Sequence, residues 1–95
     1  MHNPSHPGKY IVERYLVPNG ISRRELSRHL DVSTSTVNRM LRGVSTIDAE
    51  MALRLSKVLG KSAESWLEMQ RDDGFWHARQ HLSRARASKL QSRAA

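Results

Sequence analysis

Within nine residues, Thr34, Ser35, Asn38, Arg39 and Arg42 bring together two small hydroxyls, a carboxamide and two guanidiniums. These groups share one chemistry, hydrogen bonding to the edges of nucleic-acid bases. Arginine pairs two-pronged with guanine O6 and N7, and asparagine with adenine N6 and N7; small side chains let a helix settle deep in the major groove. On a helical wheel of about 100° per residue with Thr34 at zero, Asn38 falls at ~40°, Arg42 at ~80°, Ser35 at ~100° and Arg39 at ~140°. Met40, Val37 and Leu41 fall at ~240°, ~300° and ~340°. One face is apolar and the other carries the polar set. A solvated surface helix would look the same, so the surrounding elements decide.

Those elements are two short capped helices between Ile21 and Gly43, about four residues apart, the pattern of a helix-turn-helix. Ser22 is placed to cap the first, with Glu25 three residues on in a capping-box pattern and Ile21 as the apolar staple. Leu26 and Leu30 form its inner face, and Asp31-Val32-Ser33 breaks it. Ser33 caps the second helix, which stops at Arg42-Gly43. Arg23 and Arg24 open the first helix, where free backbone N–H groups attract phosphate; Arg23 is read as a phosphate contact. Arg28 and His29, on the same helix, carry no assignment.

The remaining elements are helical too. Ile11, Val12, Tyr15 and Leu16 give helical spacing over 9–16, after a loop-like start, with Pro18-Asn19-Gly20 as the stop. Asp48 caps a helix whose stripe of Met51, Ala52, Leu55, Val58 and Leu59 ends at Gly60, and Ser62 caps one carrying Ala63, Trp66, Leu67 and Gln70. No segment sustains period-two alternation, so the fold class is all-α. After Asp72-Asp73-Gly74 the composition shifts. Residues 71–95 hold six bases and two acids, and Phe75, Ala78, Leu82 and Ala85 make a thin stripe. The expected division is a DNA-binding domain over 1–74 and a basic extension over 75–95, helical to about residue 90.

Charge agrees with the reading helix. Twelve arginines and four lysines against nine acids leave a net charge of +7, and an arginine excess suits phosphate and guanine better than solubility alone. With 95 residues the chain has room for one modest core, not a substrate domain beside a cofactor domain. It has no cysteine, which excludes disulfides, thiolate metal sites and thiol nucleophiles and fits a reducing compartment. No apolar run is long enough to span a bilayer, and the first residues lack a signal peptide's apolar stretch; the expected location is the cytoplasm. No nucleophile elbow, glycine-rich phosphate loop or carboxylate pair is present, so neither enzyme activity nor a cofactor is expected. His77 and His81 stand four apart but lack the acid or thiolate of a metal motif, and no metal is assigned. His2 and His6 share a proline-containing loop and are read as mobile. Trp66 is read as core, whereas Phe75 and Trp76 suit either the core or a partner surface.

Residues 1–76 resemble the HigA-type antitoxins, a branch of the phage-repressor-like (Xre) helix-turn-helix proteins that includes the virulence-associated VapI proteins. The resemblance is carried by His6-Pro7-Gly8, by the segment from Val32 to Gly43, by Glu50-Met51-Ala52-Leu53-Arg54-Leu55 and by Ser62-Ala63-Glu64-Ser65-Trp66-Leu67. It implies a five-helix lambda-repressor-like core, a homodimer on palindromic double-stranded operator DNA, repression of its own operon, and a partner toxin, HigB, a small RelE-like ribonuclease. By position it implies DNA contacts from Arg23 at the start of the scanning helix, from Ser33, Thr34 and Ser35 at the entry of the reading helix, and from Asn38, Arg39 and Arg42 along it. Two residues depart from the pattern. Ser27 stands where alanine is usual, against the reading helix. Asp31 replaces the turn glycine, where a positive φ is wanted and aspartate is tolerated.

The expected function is therefore a sequence-specific DNA-binding antitoxin and autorepressor. The alternatives are a stand-alone Xre-type regulator without a toxin and, from another class, an interaction module whose basic tail binds an acidic partner or RNA.

Overall fold

A computed structural model describes residues 6–83 and 87–90, and among these residues the regular elements are all helical. The first helix, α1, begins as Pro7–Ile11, widens into a π-helical stretch at Val12–Leu16 and closes with Val17–Asn19. It starts earlier and ends later than the 9–16 expected. His6, read as mobile, instead caps it: its Nδ1 accepts from the Gly8 N–H at 3.0 Å, and Pro7 fills the first position, where a missing N–H costs nothing. Pro18 does not stop the helix because it follows the wider π turn, which gives room for its ring and absent donor. Gly20, at φ 63°, makes the actual stop.

Four more helices follow: α2 Arg23–Leu30, α3 Thr34–Leu41, α4 Ala49–Leu59 and α5 Ala63–Leu82. Each begins at the cap expected. Ser22 Oγ accepts from Glu25 N–H at 3.0 Å, Ser33 Oγ from Thr36 N–H at 3.1 Å, Asp48 Oδ1 from Met51 N–H at 2.8 Å and Ser62 Oγ from Ser65 N–H at 3.1 Å. Each cap satisfies a donor the helix cannot, worth about 1 kcal/mol.

The apolar faces meet in one core. At its centre Trp66 is fully buried, donates from Nε1 to the Lys61 carbonyl at 3.1 Å and meets Tyr10 and Tyr15 with ring centroids 5.8 and 6.2 Å away. Burial there pushes the Tyr15 phenol above its ordinary pKa. Leu26 and Leu30 from α2, and Val37, Met40 and Leu41 from α3, point into this core, as the wheel requires.

The main departure is in α5. It runs without a break through Asp72-Asp73-Gly74, so the expected boundary at 74 lies inside a helix. Asp73 is only 8% exposed and its carboxylate lies 3.4 Å from His77 Nε2 one turn on. Gly74 has open space about it, and a glycine there costs about 1 kcal/mol, which a helix anchored by Trp66 absorbs. The stripe beyond it does not reach the core: Phe75, Ala78 and Leu82 are exposed, and Ala85 lies outside the described residues. Residues 87–90 are not helical, so the helix ends short of the expected 90. Among the described residues no helix is long and apolar enough to cross a membrane.

Candidate nucleic-acid interface

α2 and α3 form the expected helix-turn-helix. The turn needs one left-handed residue, and Asp31 supplies it at φ 58°, ψ 46°. Ser27, buried against α3, adds a polar link an alanine could not make. Its hydroxyl donates to the Arg24 carbonyl at 2.6 Å and lies 3.2 Å from Thr34 Oγ1.

The outward face of α3 carries the polar set together. Thr34, Ser35, Arg39 and Arg42 are exposed and Asn38 is half-buried. Ser33, at the entry, is also exposed, but its hydroxyl is engaged twice, by the Thr36 N–H and by Thr36 Oγ1 at 2.8 Å. Arg23 is exposed on α2 and reaches across to Asn38, donating from Nη1 to Oδ1 at 3.1 Å. From Ile21 to Gly43 the motif holds five arginines against two acids, a local field that favours a polyanion.

Three supports that the sequence reading did not assign to this face position it. Arg54 of α4 donates from Nη1 to the carbonyls of Leu30 at 2.8 Å and Asp31 at 3.4 Å, and is itself held by Glu50 at 3.3 Å. Gln70 of α5 clamps the loop after α3, donating from Nε2 to the Ile47 carbonyl at 2.8 Å while Oε1 accepts from the Ile47 N–H. The His6-Pro7-Gly8 turn closes on the far end of α3. A Cβ on Gly8 would overlap the backbone of Leu41, and one on Gly43 would meet the His6 ring. The first two links join residues 23 or 24 apart in sequence, so no local pattern marks them; Pro7 after a capping histidine is the one local signal.

Away from this face, His77 pairs with Asp73, and among the described residues no group of three His, Asp or Glu side chains is placed to hold a metal. Trp76 is half-buried, edge-on to His77 with centroids 5.1 Å apart, and its Nε1 is shielded without a partner among the described residues.

The family model for helix-turn-helix proteins (HTH_3) matches residues 12–66, from the π-helical stretch of α1 to the first turn of α5. The chain belongs to the Xre-type helix-turn-helix family. This is a family of regulators and antitoxins rather than an enzyme class. Among its Xre-type relatives, virulence-associated protein I of Dichelobacter nodosus is 45% identical over 65 residues, covering 68% of this chain and 60% of that protein. The solved structure of antitoxin GraA superposes with a TM-score of 0.85 at 34% identity, covering 95% of this chain and all of that one. Antitoxin HigA of Pseudomonas aeruginosa, solved with the higBA promoter, superposes with a TM-score of 0.77 at 34% identity, covering 84% of this chain and 87% of that one. The five helices among the described residues of this Xre-type chain, and its antitoxin neighbours, agree with the lambda-repressor-like core expected.

Proposed function

We propose that this chain is the DNA-binding antitoxin of a toxin–antitoxin module, which binds operator DNA as a homodimer, represses its own operon and neutralises a RelE-like HigB toxin. One observation carries the reading: the side chains of Thr34, Ser35, Asn38, Arg39 and Arg42 project outward together from α3 while Val37, Met40 and Leu41 lock its other face into the core. Arg39 and Arg42 offer two-pronged donors to guanine edges, and Thr34 and Ser35 give close approach at the entry. Ser33, exposed at the helix entry, contributes there and through its cap, and Arg23 holds the scanning-helix end against phosphate. One such helix makes too little contact for tight specificity, so two copies would read half-sites one helical turn apart. Solved structures of GraA with its operator and of HigA with a promoter support the DNA half of the reading. The HigA and GraA likenesses support the antitoxin half.

A second reading, a stand-alone regulator without a toxin, is favoured by the relative YddM of Escherichia coli, a helix-turn-helix transcriptional regulator 37% identical over 70 residues. Gel shifts with the DNA upstream of this gene, at two salt concentrations, test the shared core: preference for that DNA over a scrambled duplex is expected, and its absence would refute both. Co-expression with the neighbouring reading frame separates them. Rescue of growth and co-purification support the antitoxin; a harmless neighbour leaves the stand-alone regulator.

A further inference from the structure

The contact between Arg23 and Asn38 does more than a phosphate clamp requires. Arg23 Nη1 lies 3.1 Å from Asn38 Oδ1. A guanidinium has donors and no acceptor, so the amide atom that faces it must be the oxygen and the NH2 must face away. That NH2 is not fully shielded, since the only shielded side-chain polar atom without a partner among the described residues is Trp76 Nε1. A free asparagine pairs with adenine by accepting from N6 and donating to N7. Here the oxygen already accepts from a cation, and an adenine amino group would have to crowd that cation to reach it. What the pair offers outward is donors: the Asn38 NH2 and the unused N–H groups of Arg23. Guanine's N7 and O6 are both acceptors and match them.

We infer that Arg23 is a positioning residue for base specificity: it fixes the Asn38 amide with its donors outward, and the pair selects guanine over adenine at the base pair that Asn38 faces. The inference rests on the DNA-reading function proposed above and adds which edge is read and by what device. It changes the role of Arg23, whose loss alters preference and not only affinity.

The test titrates the full chain, as wild type, Arg23→Met, Asn38→Ala and the double variant, against operator duplexes carrying every base pair at each half-site position, by fluorescence anisotropy. Arg23 is exposed and Asn38 half-buried, so a thermal melt of each variant accompanies the titration, and only variants that melt cooperatively as the wild type does are compared. The base pair at which Asn38→Ala loses preference defines the position. There the wild type is expected to favour guanine about tenfold over adenine. Arg23→Met should flatten that preference at the same position, and the double variant should lose no more than either single one. Arg23→Met weakening all duplexes alike, with an effect that adds to that of Asn38→Ala, would overturn the inference, as would an adenine preference in the wild type. A wild type that binds operator and scrambled duplex equally would instead refute the DNA-reading function, and this inference with it.

Discussion

The guanidinium of Arg54, on α4, donates to the carbonyl oxygen of Leu30, the last residue of α2, at 2.8 Å. The final carbonyls of a helix have no partner of their own. Here a side chain 24 residues away satisfies one and reaches a second, that of Asp31 at 3.4 Å. The point where the chain reverses to enter α3 is therefore held from outside the two helices it joins.

Replacing Arg54 with methionine keeps the stem and removes the donors. Stability in urea should fall by about 1–2 kcal/mol, the worth of a charge-assisted bond at a partly exposed site. Operator affinity should fall further than this destabilisation alone accounts for, because the angle between α2 and α3 loosens. Unchanged affinity in a folded variant would show that the turn holds itself.

Asp31 occupies a left-handed conformation that most side chains resist. Asp31→Ala should lose up to about 1 kcal/mol, because alanine is less tolerant of the left-handed region than aspartate. Asp31→Gly should be at least as stable as the natural chain, since relief of strain offsets the added freedom of the unfolded glycine. Thermal melts of the two variants give the comparison; equal melting temperatures would remove conformational strain from the account.

At Gly8 two effects oppose each other. Alanine is a better helix former by about 1 kcal/mol, but its Cβ would overlap the Leu41 backbone, which cannot move aside as a side chain can. Overpacking of this kind costs about 1–3 kcal/mol. Gly8→Ala should therefore destabilise the fold in chemical denaturation, and a stabilised variant would mean that α1 and α3 are less tightly mated than described.

Arg39 is exposed and directed away from the core. Arg39→Ala should leave stability unchanged within about 0.5 kcal/mol and cost about 1–3 kcal/mol on the operator. It should cost much less on random DNA. Equal losses on both duplexes would reassign Arg39 to phosphate.

Residues 84–95 carry four bases and no acid. Ending the chain after Ser83 should flatten the salt dependence of DNA binding, by up to about 0.9 in slope per lost phosphate contact, while preference among half-site variants survives. Loss of all nucleic-acid binding on truncation would favour the interaction-module reading, with the tail as binder.

What could be read without a structure follows from the range of each interaction. The caps at Ser22, Ser33, Asp48 and Ser62 act over three residues, and all four stand where local pattern put them. The amphipathic faces of α2, α3 and α4 likewise repeat within a few turns. The errors fell where burial, side-chain pairing or a widened helical turn overrides a residue's usual turn preference. Asp72-Asp73-Gly74 has the composition of a turn, yet Asp73 is drawn inward and pairs with His77, and the helix continues. Pro18 has the look of a stop, but it follows a π turn that no local pattern announced, and the helix runs on to Gly20. For the reading face, residue types and spacing named Thr34, Ser35, Asn38, Arg39 and Arg42. They could not reveal Arg54 or Gln70 as supports, or that Arg23 bonds Asn38, because those partners meet only in the folded chain.

Gln70 grips Ile47, Arg54 grips Leu30, and the His6-Pro7-Gly8 turn seats against Leu41 and Gly43. The short helix that faces outward is thus held before its entry, at its far end and in the loop beyond by three different parts of the polypeptide. Its eight residues would not carry the proposed discrimination into another scaffold, since the bearings that set their tilt and rotation would stay behind. Transplanting α3 alone should yield a ligand for DNA without a preferred sequence; moving the whole five-helix body is the smallest exchange expected to move the preference with it.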